Sequence, residues 1–333
     1  MRLVFLGTPA FAVPSLERLV AAGRQVLAAI TQPDRPRGRG QREAPPPVKE
    51  AALRLGIPVH QPERVRRPEA VELLRSLAPD VMVVIGYGQI IPQAVIDIAP
   101  LGIVNVHSSL LPKYRGAAPV QWAIVNGETR TGITTMRIDA GLDTGDLLLA
   151  RETEIGPEET AVELNGRLAG MGADLLVETL DGLESARIVP RKQDSAQATY
   201  APLLKKEDGL IDWSQPAESI HNRVRGLQPW PGAYTTFRGQ TLHIWRARVI
   251  SPGPLSYVRG SEMAEPRTSE SGRSETGVAH GSLPCLKPLT VTCGLGALEL
   301  REVQLEGRRR MSAADFANGH RLTELDSLGE PRT

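Results

Sequence analysis

The sequence is short of the residues and patterns that define several large functional classes. Its 333 residues hold two cysteines, Cys285 and Cys293. They are too few and too isolated for a disulfide framework or a zinc site. No apolar run approaches the ~20 residues that cross a bilayer, so no membrane span is expected. The opening Met1-Arg-Leu-Val-Phe-Leu-Gly-Thr8 runs straight into a strand-and-turn pattern without the layout of a signal peptide, and a cytoplasmic protein is expected. Charge of one sign is also lacking. The formal net charge is +1, so any basic surface must come from local clustering. The first strand ends in Gly7-Thr8-Pro9 rather than G-x-G-x-x-G. That turn offers no close approach to a dinucleotide pyrophosphate and disfavours a nicotinamide enzyme.

What is present points to two domains, since a chain of this length exceeds one ordinary core. Apolar, β-branched runs predict strands at Arg2–Leu6, Val26–Thr31, Pro58–His60, Val81–Ile85, Ile103–Val106, Gly132–Ile138 and Leu147–Leu149. Helical spacing predicts helices at Ser15–Ala22, Val48–Leu55, Pro68–Leu77, Val120–Val125 and Glu158–Asp181. The alternation gives a doubly wound, mostly parallel α/β domain over 1–189. A polar stretch bearing Arg191, Lys192, Lys205 and Lys206 reads as a linker over 190–207. The second domain, 208–325, has strand-like segments at Ala233–Phe237, Thr241–Val249, Leu289–Cys293 and Leu298–Leu305, spaced as in a small β-barrel. Ser312-Ala-Ala-Asp315 resembles a capping box opening a last short helix. Within this domain, 251–281 is dominated by Ser, Gly, Glu, Arg and Pro. It is expected to be a disordered insertion.

The polar residues with chemical potential gather in two places. Ile103-Val-Asn105-Val-His107 is an apolar strand with Asn105 and His107 two apart, hence on one face. Ser108, Ser109, Pro112 and Gly116 then break it into a loop, at the carboxyl edge where open α/β sheets bind ligands. An Asn-x-His pair also fits a structural role, with both groups bonded to local backbone. The second place, Gly141-Leu-Asp143-Thr-Gly145-Asp146, is a tight loop able to turn a carboxylate back at an imidazole. Separately, Gln32 to Pro47 is too long and too rich in Pro and Gly for an ordinary connection. Its arginines Arg35, Arg37, Arg39 and Arg42 make a mobile basic finger. That finger is either a solvated loop or a phosphate-contacting element.

Asn105-Val-His107-Ser-Ser-Leu-Leu-Pro112 together with Asp143-Thr-Gly-Asp146 resembles the signature of the folate-dependent formyltransferases. Arg115-Gly-Ala-Ala-Pro119 and Phe5-Leu-Gly-Thr-Pro9 narrow the resemblance to the branch whose acceptor is initiator methionyl-tRNA. The resemblance implies a Rossmann-like catalytic domain and an OB-like barrel that binds tRNA. It implies 10-formyltetrahydrofolate as co-substrate and no metal, with initiator methionyl-tRNA as partner; a monomer is expected, though the sequence does not give the oligomeric state. It also implies a folate-binding loop at Ser109, Leu110, Leu111 and Pro112, bordered by Tyr87 and Gly88. Arg39 matches the arginine that enters the acceptor arm, and Arg35, Arg37, Arg42, Lys205 and Lys206 are further candidates for tRNA contact.

Formyl transfer to an amine needs an oxyanion donor, an acid/base and a group that sets the acid/base's state. Asn105, His107 and Asp143 match these in turn. No nucleophilic Ser or Cys is required, because the acceptor amine attacks. His107 with Asp143 alone makes a thin metal set without a third ligand. Two rivals remain open. One is a formyltransferase acting on a small amine such as glycinamide ribonucleotide or an amino sugar, against which the arginine finger and the barrel argue. The other is a non-catalytic RNA-binding protein, against which the complete polar trio argues.

Overall fold

The computed structural model describes residues 1–37, 42–250, 289–322 and 328–329. Arg39, Cys285 and the insertion expected at 251–281 lie outside the described residues. The chain divides into two compact units. One is Met1–Gly209 with Arg225–Gly232, and the other is Leu210–Val224 with the described residues from Ala233 onward. No helix among the described residues is long and apolar enough to cross a membrane.

In the first unit the elements run β1 (Arg2–Gly7), α1 (Val13–Ala21), β2 (Gln25–Ile30), β3 (Arg35–Arg37), β4 (Arg42–Ala44) and α2 (Pro47–Arg54). They continue as β5 (Val59–His60), α3 (Pro68–Leu77), β6 (Val81–Ile85), α4 (Gln93–Ile96), β7 (Ile103–His107) and β8 (Arg115–Gly116). The unit is completed by α5 (Pro119–Val125), β9 (Arg130–Arg137), β10 (Leu147–Glu154), α6 (Ala161–Glu184) and β11 (Tyr200–Ala201). Seven strands form one sheet in the order β10-β9-β7-β6-β1-β2-β5. Strands β5, β2, β1, β6 and β7 are parallel, while β9 and β10 run antiparallel at one edge.

The period-two alternation of the strands explains the two layers of helices. Leu3, Phe5, Val83, Val104 and Val106 face one core with Leu16 of α1, Val48 of α2 and Leu164 and Leu176 of α6. Val4, Leu6, Met82, Val84 and Ile103 face the other, against Val71 and Leu74 of α3 and Val95 of α4. Every residue of β6 and β7 is buried, as a parallel strand covered on both faces requires. Asn105 and His107 therefore project to the same side as Ile103, while Val106 points at α6. There Gly172 lets the helix approach closely, because a Cβ would sit 2.9 Å from Val106 Cγ1. Helix α6 starts at a capping box in which Thr160 and Glu163 each bond the other's backbone, a device worth about 0.5–2 kcal/mol.

Two expectations need correction. The basic finger is not simply a mobile loop. Arg35 pairs with Ala44, Pro36 with Glu43 and Arg37 with Arg42 as an antiparallel hairpin, which proline-rich composition concealed. Residues 190–207 do not behave as a free linker either. Arg191 exchanges backbone hydrogen bonds with Leu147 at 2.7 and 2.9 Å, and β11 adds in parallel to β8. Ala201 is fully buried, and Leu204 packs with Ala118 and Leu227. Backbone pairing needs no apolar side chains, so a polar stretch gave no sign of it. In the same unit Arg225, 7% exposed, donates to the carbonyls of Gly156 and Glu159.

The second unit contains α7 (Ala217–Gly226) up to Val224, then β12 (Ala233–Phe237), β13 (Gln240–Ile250), β14 (Thr290–Thr292), β15 (Ala297–Leu305), β16 (Met311–Ser312) and α8 (Ala313–His320). Its strands form a separate antiparallel sheet in the order β12-β13-β15-β14, with β16 also on β15. Arg238 and Gly239 both have positive φ (46° and 74°) at the tight turn between β12 and β13, the geometry that matches strand twist. Leu242, Ile244, Leu298, Leu300 and Val303 supply the buried face, closed by Phe316 of α8 edge-on to Phe237 at 5.2 Å. Ser312 caps α8 by accepting the Asp315 N–H at 3.0 Å.

Candidate active site

The site begins where β7 ends. Asn105 and His107 are 9% and 6% exposed, and Asn105 lies in register with Val84 of β6. His107 Nε2 is 2.9 Å from the backbone oxygen of Tyr114. A carbonyl only accepts, so Nε2 carries the hydrogen and the lone pair of a neutral ring lies on Nδ1. Tyr114 is in turn fixed at φ +60°, with its N–H donating to Thr199 Oγ1 at 2.8 Å and its hydroxyl to Glu128 at 2.9 Å. Burial pushes the Tyr114 phenol up to about 12, so it stays a neutral donor. Asn105 makes no side-chain hydrogen bond among the described residues, which leaves its amide uncommitted.

Asp143 comes from the loop between β9 and β10. One carboxylate oxygen, Oδ2, accepts the Gly116 N–H at 2.8 Å and lies 3.7 Å from His107 Nδ1. That second distance is too long for a hydrogen bond but short enough for an ion pair once the imidazole is protonated. The loop is tight for local reasons. Asp139 Oδ1 accepts from the Gly141 N–H at 3.0 Å and from Thr144 Oγ1 at 2.7 Å. At Gly145 a Cβ would overlap the Arg137 carbonyl, so only glycine fits. Asp143 itself takes φ +51°, a left-handed conformation unusual outside glycine.

The loop Ser109–Pro112 is held from within. Ser109 Oγ donates to the Lys113 carbonyl at 2.7 Å. Thr134 Oγ1 donates to the Ser109 carbonyl at 2.7 Å and accepts the Leu111 N–H at 3.1 Å. Leu110 packs over Gly132, where no Cβ would fit. Gly86 and Gly88 are exposed with positive φ (55° and 84°) at the carboxyl end of β6. The Tyr87 side chain between them is instead 1% exposed within the α3-side core, its hydroxyl buried without a partner among the described residues. Its carbonyl accepts from Thr8 Oγ1 and Gln32 Nε2. Burial pushes that phenol up to about 12 as well.

The structure thus brings Asn105, His107 and Asp143 to one strand end, with Ser109–Pro112 following directly in the chain. The basic residues are elsewhere in character. Arg35 is exposed, Arg37 and Arg42 are cross-strand partners in the hairpin, and Lys205 and Lys206 are exposed at the turn Lys206–Gly209. Among the described residues no three His, Cys, Asp or Glu side chains are grouped to hold a metal.

Sequence reasoning missed Gln193 and the role of Arg115. Arg115, 3% exposed, donates through Nε and Nη2 to Gln193 Oε1 at 3.2 and 2.9 Å. Gln193 Nε2 donates to the carbonyls of Asp143 and Gly145 at 2.9 and 2.7 Å. A glutamine 50 residues downstream of Asp143 in a polar stretch carries no periodic signal.

A sequence profile of the formyl transferase family matches residues 1–180, and one of the formyl transferase C-terminal domain matches residues 203–321. The methionyl-tRNA formyltransferase of Solibacter usitatus is 66% identical over 330 residues, covering 99% of both chains. The chain belongs to the methionyl-tRNA formyltransferase family. Solved structures with the same fold are more distant. HypX from Aquifex aeolicus superposes with a TM-score of 0.60 at 16% identity, over 95% of this chain and 48% of its own length. The N-formyltransferase from Helicobacter canadensis, solved with folinic acid and dTDP-3-aminofucose, gives 0.57 at 20% identity, over 74% of this chain and 87% of its own. At those identities the likeness is one of fold. In this family member the polar trio occupies the carboxyl edge of a parallel sheet, a position suited to ligand chemistry in open α/β folds.

Proposed function

We propose that the chain transfers the formyl group of 10-formyltetrahydrofolate to the free amine of initiator methionyl-tRNA, with Asn105, His107 and Asp143 as the reacting groups. The observation that carries this reading is the orientation of His107. Its Nε2–H is committed to the Tyr114 carbonyl, which leaves the Nδ1 edge, faced by Asp143, to exchange a proton. The folate co-substrate supplies the formyl carbon. Asn105 donates its amide N–H to the oxygen that becomes negative as the amine attacks, a contribution worth about 10²–10³ in rate when one such donor is removed. His107 accepts the amine's proton at Nδ1 and returns it to the departing folate nitrogen. Asp143 stabilises the imidazolium across its 3.7 Å separation while the Gly116 N–H holds the carboxylate in place.

The residues fit a planar co-substrate. Gly86 and Gly88 present bare backbone at the carboxyl end of β6, beside β7. The segment Ser109, Leu110, Leu111 and Pro112 is rigid and partly apolar. Tyr87, being buried, supports that edge from beneath. For the acceptor, Arg35, Arg37 and Arg42 of the hairpin, with Arg39, Lys205 and Lys206, offer phosphate contacts. The second unit's antiparallel sheet, closed by α8, is read as an OB-like module that takes part in tRNA binding.

The test is a formylation assay with 10-formyltetrahydrofolate and four acceptors: charged initiator tRNA, charged elongator tRNA, glycinamide ribonucleotide and a dTDP-amino sugar. Transfer to charged initiator tRNA well above the rest is expected. Comparable turnover on a small amine, or none on tRNA, overturns the reading.

A further inference from the structure

We propose that Gln193 is a positioning residue for formyl transfer, fixing the backbone of the Asp143 loop and so the place of the Asp143 carboxylate beside His107. The inference rests on the role given above to Asp143. The hydrogen bonds of Gln193 among the described residues go to Arg115, Met136 and the carbonyls of Asp143 and Gly145, not to His107 or the Asp143 carboxylate, so it acts through the loop.

The hydrogen-bond inventory of Gln193 is full. Both amide hydrogens are used, on the carbonyls of Asp143 and Gly145, and the amide oxygen takes two donors from the Arg115 guanidinium. The amide's orientation follows, since the flipped group would set oxygen against two carbonyls and NH₂ against a guanidinium. Asp143 is thereby held at both ends by two consecutive residues of β8. Gly116 bonds its carboxylate directly, and Arg115 holds its carbonyl through Gln193. Such a grip is what φ +51° at Asp143 calls for, because a non-glycine residue keeps that conformation only when its surroundings impose it. Gln193 is itself anchored on both sides in sequence, by the reciprocal Arg191–Leu147 backbone bonds and by the pairing of Tyr200 and Ala201 with Arg115 and Gly116. The polar stretch after α6 thus works as a strut between two parts of the site.

The decisive experiment is a double-mutant cycle on the full-length enzyme, with Gln193→Glu, Asp143→Ala and the pair. Glutamate keeps the shape and the Arg115 partner but turns an oxygen on the two carbonyls. Gln193→Met, equally long and without donors, serves if the first variant does not fold. Displacing a reacting group by about 1 Å can lower the rate ~10²-fold, so a fall in kcat of about 10–100-fold is expected, with the KM values for tRNA and folate changed by less than about 3-fold. In the Asp143→Ala background the same substitution should change kcat by less than about 2-fold, since the group it positions is gone. Multiplicative losses in the double variant, or unchanged kcat in the single one, overturn the positioning role while leaving Asp143 intact. Wild-type turnover of Asp143→Ala alone instead removes the reading beneath it, and this inference with it.

Discussion

Two polar regions of the first unit are built on opposite plans. At the end of β7 Asn105 and His107 are buried, and His107 and the half-buried Asp143 are tied down. His107 is held at Tyr114, Asp143 at Gly116 and its own carbonyl at Gln193. On the β3–β4 hairpin Arg35 lies exposed, while near its base Asp34 pairs with Lys49 at 2.6 Å and accepts from Gln61 at 2.7 Å. Lys205 and Lys206 are exposed likewise. On the proposed function, the difference matches the two tasks. Proton transfer and oxyanion stabilisation depend on sub-ångström placement, which only a satisfied buried network provides. Capture of a polyanion depends on charge reaching phosphates, which tolerates movement and is screened by salt.

The sharpest way to break that contrast is to remove the precise groups. Asn105→Ala should lower kcat by about 10²–10³, and His107→Ala and Asp143→Ala each by at least ~10², with little change in KM for tRNA. Steady-state kinetics on charged initiator tRNA reads this, and near-wild-type turnover in any of the three strikes that residue from the reacting set. The charged region should respond differently. Arg39→Ala should weaken kcat/KM and flatten its salt dependence by about 0.7 in log–log slope, the value per neutralised phosphate of a single strand. Arg39→Lys should rescue only in part, because an ammonium restores charge without the guanidinium fork. Superimposable salt curves for the three proteins return Arg39 to a solvated loop. The smallest effect is expected from replacing residues 254–279 with a short Gly/Ser bridge. That composition has too few apolar residues to build a core, so melting temperature and turnover should hold nearly constant. A large fall in melting temperature refutes the reading.

The elements were legible where side chains carry a period. The unbroken apolar run Val81–Ile85 gave the buried strand β6, and the alternation around Asn105 and His107 put both on one face. Helix ends were read less well. Helical spacing predicts Glu158–Asp181, but helix α6 runs from Ala161 to Glu184, its start set by the Thr160–Glu163 capping box. The hairpin Arg35–Ala44 and the pairing of β11 with β8 were not legible at all. Both rest on backbone hydrogen bonds between short segments whose side chains follow no pattern.

The sequence by itself determined which polar groups could carry chemistry, and their resemblance to a formyltransferase signature named the reaction. Asn105-x-His107 and Asp143-Thr-Gly145-Asp146 put an amide, an imidazole and a carboxylate in a strand and a tight loop of an otherwise apolar sheet. Only the tertiary structure decided which nitrogen of His107 faces Asp143, since the partner of the other, Nε2, is a backbone carbonyl that any residue at 114 would possess. It alone brought Gln193 to the Asp143 loop. Contacts made by main-chain atoms across long stretches of sequence leave no mark on residue type, and so they appear only when the chain is folded.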